Sequence, residues 1–201
     1  GIGNEMWGDW QYGYMALDQW ISKQGQFARA MRKVDPRIVL IAPGAMPDAM
    51  TGSGMAKKLT GQVVAEEMGK ADWSAALLSR SIDDFEILSQ HFYVYGNTHY
   101  DLEQGKQVPD DSSLSFVEWS RKPANMVRVD YEHFQTYRDR IPAMQRKPIT
   151  VALDEWAYTG SPPGSFKNVP AYAWALDELF RHSDVFSMGG FTGLILAITP
   201  V

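Results

Sequence analysis

The chain contains no cysteine, which excludes disulfides, thiolate nucleophiles and cysteine-ligated metal centres. It is also short of long apolar runs: none reaches the roughly 18 residues of a membrane span, and the nearest, residues 186–201, is broken by glycines. Its 19 Lys and Arg residues are scattered, with Lys57-Lys58 and Arg121-Lys122 the densest pairs, and 24 acidic residues bring the net charge to −5. That balance argues against a nucleic-acid surface and suits a neutral substrate. The four histidines, His91, His99, His133 and His182, show no His-Glu-x-x-His spacing, so a metal hydrolase lacks its ligand pattern. Gly-x-Ser-x-Gly is missing too, and Gly52-Ser53-Gly54 sits in a Met-rich stretch rather than between a strand and a helix. Gly1-x-Gly3 lacks the third glycine of a dinucleotide fingerprint, and there is no Asn-x-Ser/Thr sequon. No cofactor, metal, nucleic acid or membrane is expected.

What is present is enough apolar side chain, 45% of 201 residues, for one sizeable core. Residues 14–34 place Tyr14, Leu17, Ile21, Phe27, Met31 and Val34 near helical spacing, with Asp35-Pro36 as the stop. Ile38 to Ala42 is a continuous aliphatic run closed by Pro43-Gly44, which predicts a strand buried on both faces. Met46 to Lys70 reads as a long loop with a helix near Gln62 to Met68. Its methionines fit gap-filling better than a cofactor site. A helix over Trp73 to Arg80 and a strand from Phe85 to Tyr93 follow. Tyr95 to Pro123 is polar and turn-rich, too long for a mere connection. Met126 to Met144 predicts a helix that Pro142 ends early. A strand at Ile149 to Leu153, a helix at Ala171 to Arg181 and a last strand within Val185 to Ile198 complete the order. Strand and helix alternate, which implies an α/β fold with a parallel sheet and helical crossovers, either closed into a barrel or open. The chain opens at Gly1-Ile2-Gly3 without a methionine and stops straight after an apolar stretch, so it reads as a piece of a longer protein.

Two acids stand out. Glu5, in Gly3-Asn4-Glu5-Met6-Trp7-Gly8, and Glu155, in Leu153-Asp154-Glu155-Trp156, each follow an apolar or small-residue stretch that reads as a strand end. Loops after the carboxyl ends of parallel strands build the site in barrels and open sheets alike, which would bring Glu5, His91 and Glu155 to one mouth. Paired carboxylates are what glycosidic-bond cleavage needs: one protonates the departing oxygen, and the other attacks the anomeric carbon or activates water. Trp7, Trp10, Trp156 and Tyr158 lie close in sequence and offer flat apolar faces to a sugar ring. Such walls would also desolvate a carboxyl group and raise its pKa. Against this stands the ordinary role of a glutamate as a surface or capping residue. For Asp154, strand alternation predicts a side chain facing away from Glu155, in a structural role. His91 and Tyr93 either orient Glu155 or contact the sugar, Tyr93 as a donor to the carboxylate, or are satisfied by backbone partners. Trp10 and Trp119 serve either as subsite walls or in packing.

At these residues the chain resembles the glycoside hydrolase family 51 α-L-arabinofuranosidases, members of a large clan of retaining (β/α)8 TIM-barrel glycosidases. Gly3-Asn4-Glu5-Met6 with Gly8 and Trp10-Gln11 is similar to the family's motif after the fourth barrel strand. Gln90-His91-Phe92-Tyr93 with Tyr95-Gly96-Asn97 resembles the sixth-strand segment, Asp154-Glu155-Trp156 the seventh-strand motif, and Ile198-Thr199-Pro200 the eighth-strand ending. The resemblance implies that residues 1–201 are roughly the C-terminal half of a barrel, from the end of strand 4 to strand 8. The first strands and the usual C-terminal β-sandwich would then be absent. It implies Glu5 as acid/base, Glu155 as nucleophile, Asn4 as a ligand of the sugar 2-hydroxyl, and His91 and Tyr93 near the nucleophile. It further implies an arabinose-containing oligo- or polysaccharide as substrate and, for complete chains, a homo-oligomer and a cytoplasmic location. Gly193 and Leu196 depart from the family pattern, which bears on sugar specificity. The alternatives are another retaining glycosidase of the clan, a β-glycanase or β-xylosidase, and a non-catalytic carbohydrate-binding fragment.

Overall fold

A computed structural model describes residues 1–46, 72–94, 98–101, 106–110, 114–158, 166 and 168–192. Four strands, β1 (Ile41–Pro43), β2 (Ile87–Val94), β5 (Thr150–Tyr158) and β6 (Phe186–Phe191), form a parallel sheet in the order β1-β2-β5-β6. Between β2 and β5 the chain also makes an antiparallel ribbon, β3 (Thr98–Asp101) with β4 (Lys106–Pro109). The helices are α1 (Leu17–Val34), α2 (Trp73–Arg80), α3 (Phe116–Arg140) and α4 (Asn168–Arg181). Each parallel pair is joined through one of α2, α3 or α4, as the strand and helix alternation predicts. The expected helix near Gln62 to Met68 and the segments holding Tyr95 to Asn97, Gly193, Leu196 and Ile198 to Pro200 lie outside the described residues.

Several elements differ from expectation for physical reasons. Of the apolar positions expected to face the core from α1, only Leu17 is fully buried. The buried face is instead Leu17, Trp20, Gln24, Gly25 and Ala28, while Phe27 and Val34 are exposed. The small Gly25 and Ala28 let this face pack closely, and the bulkier Phe27 and Met31 line an open groove with Ile2 and Trp20. Strand pairing at β1 begins only at Ile41. The Leu40 N–H is taken by the Glu86 carboxylate (2.8 Å) and its carbonyl by the N–H groups of Glu86 and Ile87 (2.9 and 3.2 Å). Val39 is exposed, so the run is not buried on both faces.

Helix α3 starts ten residues before the expected Met126, at a capping box in which the Ser115 hydroxyl accepts from Glu118 N and Glu118 reaches back to Ser115 N. Pro123 then lies inside the helix, where it has no N–H to give the Trp119 carbonyl. The buried Tyr158 hydroxyl, from the end of β5, donates to that carbonyl at 2.9 Å, so the orphaned acceptor is satisfied by the sheet it packs on. At the other end the helix stops at Arg140 and Pro142 opens a short 3-10 turn, as the proline predicts.

The feature that matters most for the site is a β-bulge in β5. On β2, Ser89 pairs with Ala152 and His91 with Glu155, so two steps on β2 oppose three on β5. The same surplus appears against β6, where Leu153 pairs with Gly189 and Trp156 with Phe191. One extra residue resets the alternation. Ala152 faces the same side as Ser89, and both Asp154 and Glu155 then turn to that side. Trp156 returns to the helix-covered face, where its ring meets Phe92, Tyr172 and Phe191 at 5.7, 6.1 and 5.0 Å. Gly190 makes room for the bulge: a Cβ there would stand 3.2 Å from the Asp154 carbonyl oxygen. At the other edge, Gly44 donates its N–H to the Ser89 carbonyl, and any Cβ on it would lie 2.3 Å from that same oxygen.

Candidate active site

The face of the sheet opposite α3 and α4 carries Ser89, His91 and Tyr93 from alternate positions of β2 and Asp154 and Glu155 from the bulge of β5. The intervening Gln90 points the other way, accepting from Met46 N and donating to Asp130 of α3. Glu5 arrives from the N-terminal segment. Residues 1–5 are not a strand, but Ile2 donates to the Ile41 carbonyl of β1 at 2.9 Å, which hangs the segment on the sheet edge. The chain then turns sharply: Glu5 has φ 44°, a left-handed conformation uncommon for a residue with a Cβ. His91 and Glu155 likewise lie inside their strands, which run on to Val94 and Tyr158, rather than at strand ends.

His91 is the hub. Its Nδ1 lies 3.0 Å from Glu5 Oε1 and 3.6 Å from Glu155 Oε2, and its Nε2 lies 3.2 Å from Ser89 Oγ and 3.4 Å from Asp154 Oδ1. The Ser89 hydroxyl donates to Asp154 Oδ1 at 2.7 Å. Because that hydroxyl proton is committed to Asp154, His91 Nε2 must itself be the donor toward Ser89. The proton on the Nδ1 side is then shared between His91 and Glu5. Glu5 Oε2 accepts from Trp10 Nε1 (2.5 Å) and Gln11 Nε2 (3.1 Å). The Tyr93 hydroxyl donates to Glu155 Oε1. One oxygen of Glu5, one nitrogen of His91 and one oxygen of Glu155 lie within 4.8 Å of one another.

Burial by itself would push the Glu5 carboxyl up, but donation from His91, Trp10 and Gln11 outweighs it and holds the pKa below the ordinary value. The expected desolvating aromatic wall therefore does not set its ionisation. Burial would likewise lower His91. Its hydrogen bonds to Asp154 and Glu5 and the charge of Glu155 reverse that and raise it to about 9. Asp154 is burdened by burial yet lowered by His91 and Ser89. Tyr93 is raised, first by burial and then by its bond to Glu155. At neutral pH the cluster is thus an imidazolium among carboxylates. The same spacing would suit a cation only if His91 gave up its proton, since an imidazolium has no lone pair to offer.

Of the candidate residues, Glu5, His91, Tyr93 and Glu155 come together, and Asn4 is exposed immediately beside Glu5. Trp10 is 51% exposed, with its indole N–H on Glu5, and Trp7 packs edge-on behind it at 5.1 Å. Trp7, Trp156 and Tyr158 are buried in the core, so they offer no face to a sugar. Trp119, on α3, stacks on Phe116 of the same helix and packs at a tilt on Tyr158 of β5 instead of lining the cluster. Asp154 departs from its expected position: the bulge turns it onto the side of Glu155. Ser89 and Gln11 were not anticipated as members of the site. Ser89 shares a strand face with His91 two residues on, a signal the alternation rule could have supplied. A second groove, between α3 and α4, is far from this chemistry and internally satisfied, with Arg121 over Trp174 and Arg181 on Glu178.

No protein-family model matches the chain. It is 33% identical over 212 residues to an intracellular exo-α-(1→5)-L-arabinofuranosidase of Halalkalibacterium halodurans, and 23% identical over 215 residues to the protein of that description from Acetivibrio thermocellus. Both alignments take in the whole of this chain and 38% of the relative, so the chain spans well under half the length of the curated relatives it matches. Among solved structures, an α-L-arabinofuranosidase from Thermotoga maritima superposes with a TM-score of 0.65 at 21% identity, over 96% of this chain and 33% of that one. The thermostable GH51 enzyme from Thermotoga petrophila gives 0.66 at 21%, with the same coverage. In sequence and in fold the chain is related to the glycoside hydrolase family 51 arabinofuranosidases, and corresponds to about a third of their TIM-barrel chain.

Proposed function

We propose that this chain carries the two catalytic carboxylates of a retaining glycoside hydrolase that releases terminal α-L-arabinofuranosyl residues from arabinan, arabinoxylan or arabino-oligosaccharides. The observation that carries the reading is the approach of Glu5 and Glu155, whose nearest cluster atoms lie within 4.8 Å across His91. A retaining site needs its carboxyl groups about 5 Å apart, whereas an inverting one leaves roughly 6.5–9.5 Å for water. The α-L-arabinofuranosidase activity for which the relatives are named supports the sugar class, and their description as intracellular supports a cytoplasmic location. Among the described residues no helix is long and apolar enough to cross a membrane.

In this mechanism Glu155, held by the Tyr93 hydroxyl, attacks the anomeric carbon and forms a glycosyl ester. Glu5 protonates the departing oxygen, then takes a proton from the water that hydrolyses the ester. Glu5 rests as a carboxylate beside a protonated His91. The transferable proton therefore belongs to the Glu5–His91 pair, and it moves across the 3.0 Å contact as the leaving oxygen develops charge. Ester formation also removes the Glu155 charge that favours the imidazolium, which weakens the hold of His91 on that proton. In this reading Asn4, next to Glu5 in sequence, and the exposed Trp10 contact the sugar and the leaving group.

The test is turnover of an aryl α-L-arabinofuranoside, with Glu155→Gln as the paired control. Release of the aryl group that vanishes in the variant supports the reading. Activity on a β-linked pyranoside alone would select a clan relative, and turnover that survives Glu155→Gln would remove Glu155 as nucleophile.

A further inference from the structure

The geometry points to Asp154 as a positioning residue that acts through His91 on the proton shared with Glu5. This rests on the reading of Glu5 as acid/base, and it adds a residue that the paired-carboxylate mechanism does not require. Three observations carry it. The bulge in β5 brings Asp154 and Glu155 to the same side of the sheet, where strand alternation alone would set the two neighbours on opposite faces. Asp154 Oδ1 then receives the Ser89 hydroxyl at 2.7 Å and stands 3.4 Å from His91 Nε2. The opposite nitrogen of the same ring faces Glu5 at 3.0 Å. The result is a line of carboxylate, imidazole and carboxylate, with the serine clamping its outer end.

Among the described residues, the titratable groups that face His91 are Glu5 from the N-terminal segment and Asp154 and Glu155 from β5. Tyr93, on β2 itself, reaches the cluster through Glu155. In the proposed mechanism Glu5 and Glu155 act on the substrate and meet Nδ1 of the ring, whereas Asp154 faces the opposite nitrogen, Nε2. Its charge favours the imidazolium, and its fixed direction, set by Ser89, keeps the ring turned so that Nδ1 meets Glu5. Asp154→Asn keeps the size and one acceptor oxygen for the Ser89 hydroxyl but removes the charge.

The proposal is tested by following the His91 ring nitrogens by NMR through a pH titration of the protein, in the wild type and in Asp154→Asn. The proposal expects the His91 pKa to fall by about one to two units in the variant, the usual effect of losing a close opposite charge. It expects the basic limb of the kcat/KM profile for aryl arabinofuranosides to fall by the same amount, with kcat reduced far more than KM is changed. Leaving groups that need little protonation should be affected least. Asp154→Glu, which restores the charge, should recover part of both. A second variant, Ser89→Ala, should lower the His91 pKa less, because it frees the Asp154 carboxylate without removing its charge.

An unchanged His91 titration in Asp154→Asn, or a uniform loss of activity with no movement of the pH limb, overturns the proposal and leaves Asp154 as a folding residue. The NMR arm needs no turnover, so it still decides the role of Asp154 if arabinofuranosides prove not to be substrates. In that event the functional reading falls separately.

Discussion

Between pH 6.5 and 9 the folded chain should lose stability as His91 gives up its proton. The direction follows from the site: His91 binds its proton more tightly in the fold, with a pKa of about 9 against 6.5 in a free peptide. A group raised on folding contributes fully below its unfolded pKa and loses that contribution as pH rises through the folded value. The gap between about 9 and 6.5, at about 1.4 kcal/mol per pH unit, comes to roughly 3 kcal/mol. The ring is nearly all buried, its side chain 7% exposed, so solvent screening takes little from that figure. The assay is urea unfolding at half-unit steps from pH 5.5 to 10, with His91→Gln as the partner. Gln keeps an N–H donor but does not titrate. The wild type should show a fall of about 3 kcal/mol across the window and the variant a flat or much shallower line, the difference isolating His91 from other groups. Parallel lines for the two proteins would refute the claim that His91 is held as an imidazolium by the surrounding carboxylates.

Two further outcomes follow from single contacts. Trp10→Phe removes a donor from Glu5 Oε2, so the Glu5 carboxyl should titrate at higher pH than in the wild type. Carboxyl carbon NMR reads this directly, and no movement would mean that Trp10 does not hold Glu5. Tyr158→Phe takes from the half-buried Trp119 carbonyl the hydroxyl donor that stands in for the helical N–H Pro123 lacks. It should cost about 1 kcal/mol in chemical denaturation. Combined with Pro123→Ala, which restores the helical N–H, the cost of Tyr158→Phe should shrink. Strict additivity of the two changes would contradict the link between them.

The strand and helix order was legible because apolar runs and their periodicity are local properties, and the parallel sheet follows from the alternation. Phe27 and Val34 of α1 show where periodicity fails. They lie at helical spacing with Leu17, but the side chains that pack are set by which neighbours come close, and Gly25 and Ala28 allow the closest approach. The start of α3 was hidden because Pro123 reads as a stop, and only the partner strand supplies the hydroxyl that makes it tolerable. In the site, Glu5, His91, Tyr93 and Glu155 were visible as chemistry-bearing residues in strand-like contexts. Asp154 was not, since nothing in Leu153-Asp154-Glu155 announces a bulge. Its register is a property of three strands together. The ionisation of Glu5 was misjudged for a related reason. Aromatic neighbours in sequence suggested desolvation, whereas the fold buries Trp7 and Trp156 elsewhere and turns the Trp10 N–H onto the carboxylate.

The central claim, that Glu155 attacks the sugar while Glu5 with His91 handles the proton, is tested most directly by trapping the intermediate. The protein would be incubated with a 2-fluoro arabinofuranoside carrying an activated leaving group, digested, and read by mass spectrometry. The account predicts one fluoropentosyl adduct, on the peptide that holds Glu155, and none in Glu155→Gln. An adduct on another residue, or ready hydrolysis with inversion at the anomeric carbon, would contradict it.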